Sequence, residues 1–281
     1  MPELPEVETI ARRLREVVKD KRLKTIQVLR EKSFQGNPDL LVGSTIIDIS
    51  RRAKILNFTF SNDLHLLVHL KMTGQLIFVD AGTRVGGGHP TDDWVNSLPS
   101  KHTRVVIDFE EPGTLFFNDL RVFGWMKVVD QAGVEKEYGR YAPDVNTPGF
   151  TLKTFQQKLA NKSQPIKVAL MDTSIVSGIG NIYANDALHL AKISPLRPAK
   201  SLSSKQVKAV YLAARAVIEK GIELGGATIK TYRTVDGLSG DYQSVVRVYQ
   251  KESQPCLVCS TPIIRIKQAG RSTFYCPHCQ K

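Results

Sequence analysis

The chain has 281 residues, 42% of them hydrophobic and 23% charged, with a formal net charge of +12 at pH 7. That composition is typical of a globular protein and excludes a disordered or collagen-like polymer. No apolar run reaches the ~18–20 residues of a membrane-spanning helix. The opening Met-Pro-Glu-Leu-Pro-Glu-Val-Glu is acidic where a secretory signal is basic. A cytoplasmic, soluble monomer with no membrane partner is expected, long enough for two domains.

The charge is segregated. Residues 1–150 carry 20 basic and 20 acidic side chains, whereas residues 151–281 carry 19 and 7. A one-signed field confined to one half suits a polyanionic partner, of which nucleic acid is the commonest. A solvated basic surface kept for solubility is the bland alternative, but solubility needs no such segregation.

In chain order, Pro2 to about Lys19 predicts a helix. Pro5 fits the first turn, where its missing N–H costs nothing, and Val7, Ile10, Leu14 and Val17 recur at helical spacing. From Leu23 to Val129 the apolar segments become short, β-branched or aromatic, and broken by turn residues. They predict an antiparallel sandwich or barrel. Residues 80–102 are rich in Gly and Pro and read as a long exposed loop. Residues 136–150, with Gly139, Pro143, Pro148 and Gly149, read as a linker between an N-terminal domain (1–135) and a helical one (151–240). In the helical part Ser203 and Gln206 form a capping-box pattern. Val207, Val210, Tyr211, Ala214, Val217 and Ile218 then make an apolar stripe that reads as core, and Gly225-Gly226 ends the helical run. The last segment, 241–281, holds all four cysteines. The fold class is therefore α+β with two domains.

Cys256, Cys259, Cys276 and Cys279 form two C-x2-C pairs separated by sixteen residues. This spacing puts four thiolates around one structural Zn2+, each pair on a tight knuckle. Two disulfides are the alternative, disfavoured in a reducing compartment. His278 lies in the second knuckle and could replace a thiolate, although four cysteines complete the shell.

Several motifs run through nearly the whole chain in a fixed order. They are Pro2-Glu3-Leu4-Pro5-Glu6, Arg51-Arg52-Ala53-Lys54, His69-Leu70-Lys71-Met72-Thr73-Gly74, Asn118-Asp119-Leu120-Arg121-Val122-Phe123-Gly124, Gly178-Ile179-Gly180-Asn181, Ser194-Pro195-Leu196-Arg197-Pro198, and Gly270-Arg271-Ser272-Thr273-Phe274-Tyr275-Cys276. Together with the cysteines, this set closely resembles the formamidopyrimidine-DNA glycosylases. The resemblance implies a leading helix on an antiparallel β-sandwich, followed by a helix–two-turns–helix module and a β-hairpin zinc finger. It implies a base excision repair enzyme for duplex DNA carrying oxidised purines or abasic sites, which removes the base and then cuts the strand by β,δ-elimination.

Elementary chemistry supports a nucleophile at the start. If Met1 is removed, Pro2 carries a secondary α-amine, partly neutral near pH 7 because such amines have a pKa of ~7.7–8.0. A helix N-terminus beside it lowers that value further. A neutral amine can attack a sugar carbon and form an iminium. Glu3 and Glu6 are three residues apart, so both can face that amine and divide acid and base roles. Ordinary N-terminal helix acidity is the alternative. The resemblance assigns Pro2 as nucleophile at C1′, Glu3 as general acid/base, Glu6 as positioner or proton relay, and Lys54 to a hairpin tip at the lesion.

An enzyme acting at C1′ of a stacked nucleotide must extrude it and fill the gap. The resemblance assigns the filling to Met72, Arg121 and Phe123; hydrophobicity alone would put Met72 and Phe123 in the sandwich core. By the same likeness Lys167, Asn181 and Arg271 grip phosphates, and residues 225–235 close over an everted 8-oxoguanine. Leu120 and Val122 depart from the family's usual Pro and Arg, Tyr249-Gln250-Lys251 replaces its usual Tyr-Gly-Arg, Thr103-Arg104 follows Lys101-His102 where Asp-His is usual, and the 80–102 loop looks long. Two other readings stay open: an endonuclease VIII-like glycosylase for oxidised pyrimidines, and a non-catalytic zinc-finger DNA-binding protein.

Overall fold

The computed structural model describes residues 2–88, 97–227, 233–234 and 240–281. The chain divides into two compact units, Met1–Gly139 with Leu224–Asp241, and Arg140–Glu223 with Tyr242–Lys281.

The first unit opens with helix α1, Leu4–Val18, with Pro5 in its first turn. Leu4, Val7, Ile10, Ala11, Leu14 and Val18 are buried. Val18 completes the stripe in place of the expected Val17, because a 4-7-11-14-18 spacing keeps one face toward the core. Ten strands follow in sequence: β1 Leu23–Val28, β2 Phe34–Gln35, β3 Ile46–Arg52, β4 Ile55–Phe60, β5 His65–His69, β6 Gly74–Val79, β7 Arg84–Gly88, β8 Thr103–Phe109, β9 Thr114–Asp119 and β10 Trp125–Val129. With β11, Arg233–Thr234, they form a six-stranded sheet, β1-β8-β9-β6-β7-β11, and a five-stranded sheet, β2-β10-β5-β4-β3. Among the described residues every strand pairing is antiparallel except the two-residue contact of β2 with β10. Phe58, Phe60, Leu66 and Val68 of one sheet share a single core with Leu76, Phe78, Ile107 and Phe117 of the other and with α1. Truncating one of these aromatics would cost ~3–5 kcal/mol.

Two expectations are corrected here. Residues 84–88 of the expected loop are a strand, β7. Its glycines are there for close approach rather than looseness. A Cβ on Gly86 would lie 2.0 Å from the Leu76 carbonyl oxygen, and one on Gly88 2.3 Å from that of Gly74. Helix α1 packs over β7 and β3. Residues 89–96 of that loop lie outside the described residues. The expected linker, in turn, begins inside a helix, α2, Gln131–Tyr138, capped by Asp130 accepting from the Gly133 N–H at 2.8 Å. Only Val134 and Glu137 of α2 are buried, so it has no apolar stripe for a sequence reading to find.

The second unit contains α3 Leu152–Leu159, α4 Ile166–Leu170, α5 Asn181–Leu190, α6 Ser204–Glu223 and α7 Tyr242–Val245. It ends in the hairpin β12 Ile264–Gln268 and β13 Arg271–Tyr275. The Ser203–Gln206 capping box is formed in both directions, at 3.0 and 3.3 Å. Val207, Val210, Ala214, Val217 and Ile218 are buried along α6, and α6 packs on α5. Val248, Ile263 and Phe274 make a second small core with Cys256 and Cys276. Residues 224–241, expected with the helical domain, group with the first unit, where β11 pairs with β7.

Candidate nucleic-acid active site

The first turn of α1 is held by a reciprocal capping box, the Glu3 side chain accepting the Glu6 backbone N–H and the Glu6 side chain that of Glu3. Glu6 Oε2 accepts the backbone N–H of Glu3 at 2.8 Å, and Oε1 accepts that of Ala227 at 2.7 Å. Glu3 and Glu6 are both buried, as is Pro2. Gly226, at φ +88°, lies so close that a Cβ there would sit 2.9 Å from Glu6 Oε1. Glu6 therefore joins the residue after Pro2 to the root of the 225–235 segment. Residues 228–232 and 235 of that segment lie outside the described residues.

Lys54 occupies the two-residue turn between β3 and β4, where Arg52 pairs with Ile55 and Ala53 takes φ +55°. Arg51 braces this turn. Its Nε reaches Glu8 at 2.8 Å and its Nη1 donates to the Ala53 carbonyl at 2.9 Å. Burial pushes the Glu8 carboxyl up, but hydrogen bonds and charge from Arg51 and Arg12 outweigh it and hold the group below its ordinary value. Arg15 pairs with Asp48 further along, so α1 runs antiparallel to β3 and its N-terminus points toward the Lys54 turn.

Strand register collects the other turns at the same end. Ile55 pairs with His69, His69 with Trp125, and Gly74 with Asp119. The turns at 53–54, 70–73 and 120–124 thus leave one end of the sandwich. His69 is buried there; its Nδ1 accepts the Lys71 N–H at 3.0 Å. Burial, then the charges of Lys71 and Lys54, push its pKa down to about 3, so the ring is neutral.

Met72 and Phe123 are 40% and 49% exposed, which removes the core alternative for both. The Arg121 guanidinium lies over the Phe123 ring, 4.6 Å from its centroid. Asp119, fully buried, builds the loop from beneath. Its Oδ2 accepts the Gly124 N–H at 2.6 Å, and its Oδ1 accepts from Thr73 Oγ1 and, at 3.2 Å, from the Arg121 N–H. Arg104 Nε donates to the Asp119 carbonyl at 2.8 Å. This network sustains Val122 at φ +54°, a left-handed conformation that a β-branched side chain resists. One carboxylate thereby fixes the Met72 turn and the Arg121–Phe123 loop together.

In the second unit Arg271 is exposed at the start of β13. Lys167 is buried. Its ammonium donates to the Ser272 carbonyl at 3.0 Å and to Thr273 Oγ1 at 2.7 Å. Asn181, at the start of α5, donates to the same carbonyl at 3.1 Å. Both residues are brought to the hairpin beside Arg271, and Lys167 holds that hairpin rather than extending into solvent. Arg271 and Lys167 line a pocket with Gln164, Met171 and Gln268.

The four cysteines form no disulfide, and their sulfurs all lie within 4.8 Å of one another. Separations of 3.3, 3.5 and 3.9 Å match the ~3.8 Å edge of a tetrahedron with Zn–S bonds of ~2.3 Å. Backbone N–H groups of Val258 and Cys279 point at Cys256 and Cys276 Sγ at 3.4 Å, as in a thiolate knuckle. The donor set fits one structural zinc without His278. On α5, the buried Asp186 carboxylate accepts from the Arg247 N–H at 2.9 Å, the Val248 N–H at 3.0 Å and the Tyr242 hydroxyl at 3.1 Å, docking the segment that leads into the finger.

The sequence reading missed Asp119 and Asp186 as organisers, and Arg51, Glu8 and His69 as supports. Asp119, Arg51 and His69 stand inside the quoted motifs, and Glu8 lies just past the first of them. Asp186 is one of only seven acids in residues 151–281, and an acid on a buried helix face is itself a signal.

An α1-capped sandwich with an acid pair at its helix start, joined in one chain to a basic helical unit with a four-cysteine finger, defines a zinc-finger DNA-processing enzyme. Comparison with known proteins makes this specific. Residues 1–126 match the formamidopyrimidine-DNA glycosylase N-terminal domain, 141–233 its H2TH domain, and 253–281 the zinc finger found in FPG and IleRS. The chain is 37% identical to the formamidopyrimidine-DNA glycosylase of Listeria innocua and 38% identical to that of an Exiguobacterium strain, covering all of each chain. It resembles the crystal structure of Lactococcus lactis Fpg in complex with abasic-site DNA at TM-score 0.88 and 30% identity, with complete coverage of both chains. It resembles Thermus thermophilus MutM (FPG) at TM-score 0.87 and 36% identity, over 99% of this chain and 98% of that one. The chain belongs to the formamidopyrimidine-DNA glycosylase family, the base-excision DNA glycosylases that also carry AP lyase activity.

Proposed function

We propose that this chain excises 8-oxoguanine and formamidopyrimidines from duplex DNA through a Schiff base on Pro2, acting as a monomer in the bacterial cytosol. Among the described residues no helix is long and apolar enough to cross a membrane. The observation that carries the reading is the Glu6 clamp, which ties the residue next to Pro2 to the segment expected over the lesion.

Freed of Met1, the Pro2 amine attacks C1′ and the base departs. Glu3 supplies a proton to the opening sugar ring and later takes one back. Glu6 keeps its two backbone partners and positions the amine. Lys54, at a hairpin tip braced to α1 through Arg51 and Glu8, adds a fixed cation that disfavours protonation of the amine. Two eliminations from the iminium then cut the strand on each side of the sugar. Met72, Arg121 and Phe123 fill the vacated stack. Arg271 contacts phosphate directly, while Lys167 and Asn181 act on it through the Ser272 carbonyl they hold. Zinc keeps the finger folded.

A second reading, action on oxidised pyrimidines, has one observation in its favour: a similar solved structure is of wild-type Lactococcus lactis Fpg with DNA containing an oxidised pyrimidine. Single-turnover excision of 8-oxoguanine against thymine glycol separates the two. Faster loss of 8-oxoguanine supports the purine reading, and a preference for thymine glycol replaces it.

A further inference from the structure

His189 lies on α5, one turn beyond Asp186, and is 2% exposed. Its two ring nitrogens have different partners. Nδ1 is 3.0 Å from Arg247 Nε, and Nε2 is 3.3 Å from Cys256 Sγ. Arginine has no acceptor and stays protonated, so Arg247 Nε must donate and Nδ1 must accept. A ring that accepts at Nδ1 carries its hydrogen at Nε2. That hydrogen faces the Cys256 sulfur.

We propose that His189 is an outer-sphere residue of the zinc site, donating Nε2–H to the Cys256 thiolate in a tautomer fixed by Arg247. Four thiolates around Zn2+ leave two net negative charges, and a donor in a buried setting stabilises that excess. Arg247 supplies positive charge behind the ring. Its own backbone N–H is held by Asp186, so one helix sets the whole relay, Arg247 to His189 to Cys256. The geometry also explains a histidine on the buried face of α5, where a plain apolar side chain would fill the space with no polar group to satisfy.

The relay distinguishes an outer-sphere partner from a packing residue. His189→Phe keeps a planar ring but removes the donor, and Arg247→Met removes only the group that sets the tautomer. Zinc affinity of the full chain, read by competition with a chromogenic chelator, is expected to fall about tenfold in His189→Phe. Arg247→Met is expected to fall less, and the double variant no further than His189→Phe, because Arg247 acts through the ring. With cobalt in place of zinc, His189→Phe should keep the visible bands of a tetrahedral four-thiolate site. Its sulfur-to-cobalt charge-transfer band should move to lower energy, since an undonated thiolate releases electrons more readily. Should the variant not fold, long-range 1H–15N spectra of the zinc-loaded wild-type protein decide the matter: His189 must appear as the Nε2–H tautomer. Equal affinity and equal charge-transfer energy in wild type and His189→Phe, additive losses in the double variant, an Nδ1–H tautomer, or a cobalt spectrum showing nitrogen ligation would each overturn the proposal.

Discussion

Two buried carboxylates, one in each unit, are used in the same way to different ends. Asp119 gathers Thr73, Arg121 and Gly124, and the two turns it roots present the exposed side chains of Met72, Arg121 and Phe123. Asp186 gathers Tyr242, Arg247 and Val248, and what it holds is a buried joint between helix and finger. The sandwich end thus presents exposed groups from a rigid base, while the finger is secured by burial and by its metal. On the proposed function, side chains that enter a base stack need a fixed root and a free tip, and a hairpin that grips phosphate through Arg271 needs its framework fixed.

Removing the metal tests the second half of this contrast hardest. Without zinc the four sulfurs lose the ion that ties the two knuckles together and take up protons, and a structural zinc contributes on the order of 10 kcal/mol to a small folded finger. Chelation is expected to collapse duplex binding while the sandwich keeps its β-sheet circular dichroism. Binding that survives complete demetallation would sever the finger from the grip.

Next come the carboxylates themselves. Asp119→Ala leaves the buried Gly124 N–H and the Thr73 hydroxyl without their acceptor, the Arg121 N–H keeping only Thr73 Oγ1, and should cost about 3 kcal/mol of stability. It should also lower single-turnover excision roughly 100-fold by misplacing Arg121 and Phe123, with Asp119→Asn recovering part of the loss. Asp186→Ala should cost similar stability but show its functional effect in duplex affinity, with excision of fully bound substrate near the parent rate. If both variants lose the same property, the division of labour drawn here is wrong.

A smaller effect is expected from His69. Its pKa is about 3 in the folded protein against an ordinary 6.5. Between those values the unfolded chain binds a proton that the folded chain refuses, so stability falls as pH drops through that window and this group has no effect above it. His69→Gln should flatten the acid slope by up to about 1.4 kcal/mol per pH unit, measured by urea unfolding between pH 6.5 and 4. The smallest effect belongs to Arg271→Gln, which should reduce the salt dependence of duplex binding by about one phosphate contact and leave lesion preference unchanged.

Much of this was legible in the sequence for identifiable reasons. The α1 stripe, the α6 stripe and the Ser203–Gln206 cap are local and periodic, and cysteine spacing encodes metal geometry directly. What escaped notice depends on contacts between residues far apart in the chain. Gly86 and Gly88 look like loop residues until the Leu76 and Gly74 carbonyls are seen against them. Lys167 looks like a surface cation until its ammonium is found on Ser272, 105 residues away. The 224–227 segment follows a helix in sequence but belongs with α1, because Glu6 claims the Ala227 N–H. Asp119 was in view within its motif, yet its reach to Thr73 spans two hairpins.

The central claim is a nucleophilic nitrogen on Pro2, and borohydride trapping addresses it most directly. The enzyme is incubated with a duplex carrying 8-oxoguanine, reduced, digested, and the DNA-bearing peptide is sequenced by mass spectrometry. The adduct is expected on the α-nitrogen of Pro2 in a chain lacking Met1, with Pro2→Gly slowing its formation and Glu3→Gln suppressing it. An adduct on Lys54 or another lysine, or full excision by a chain that retains Met1, would contradict the account.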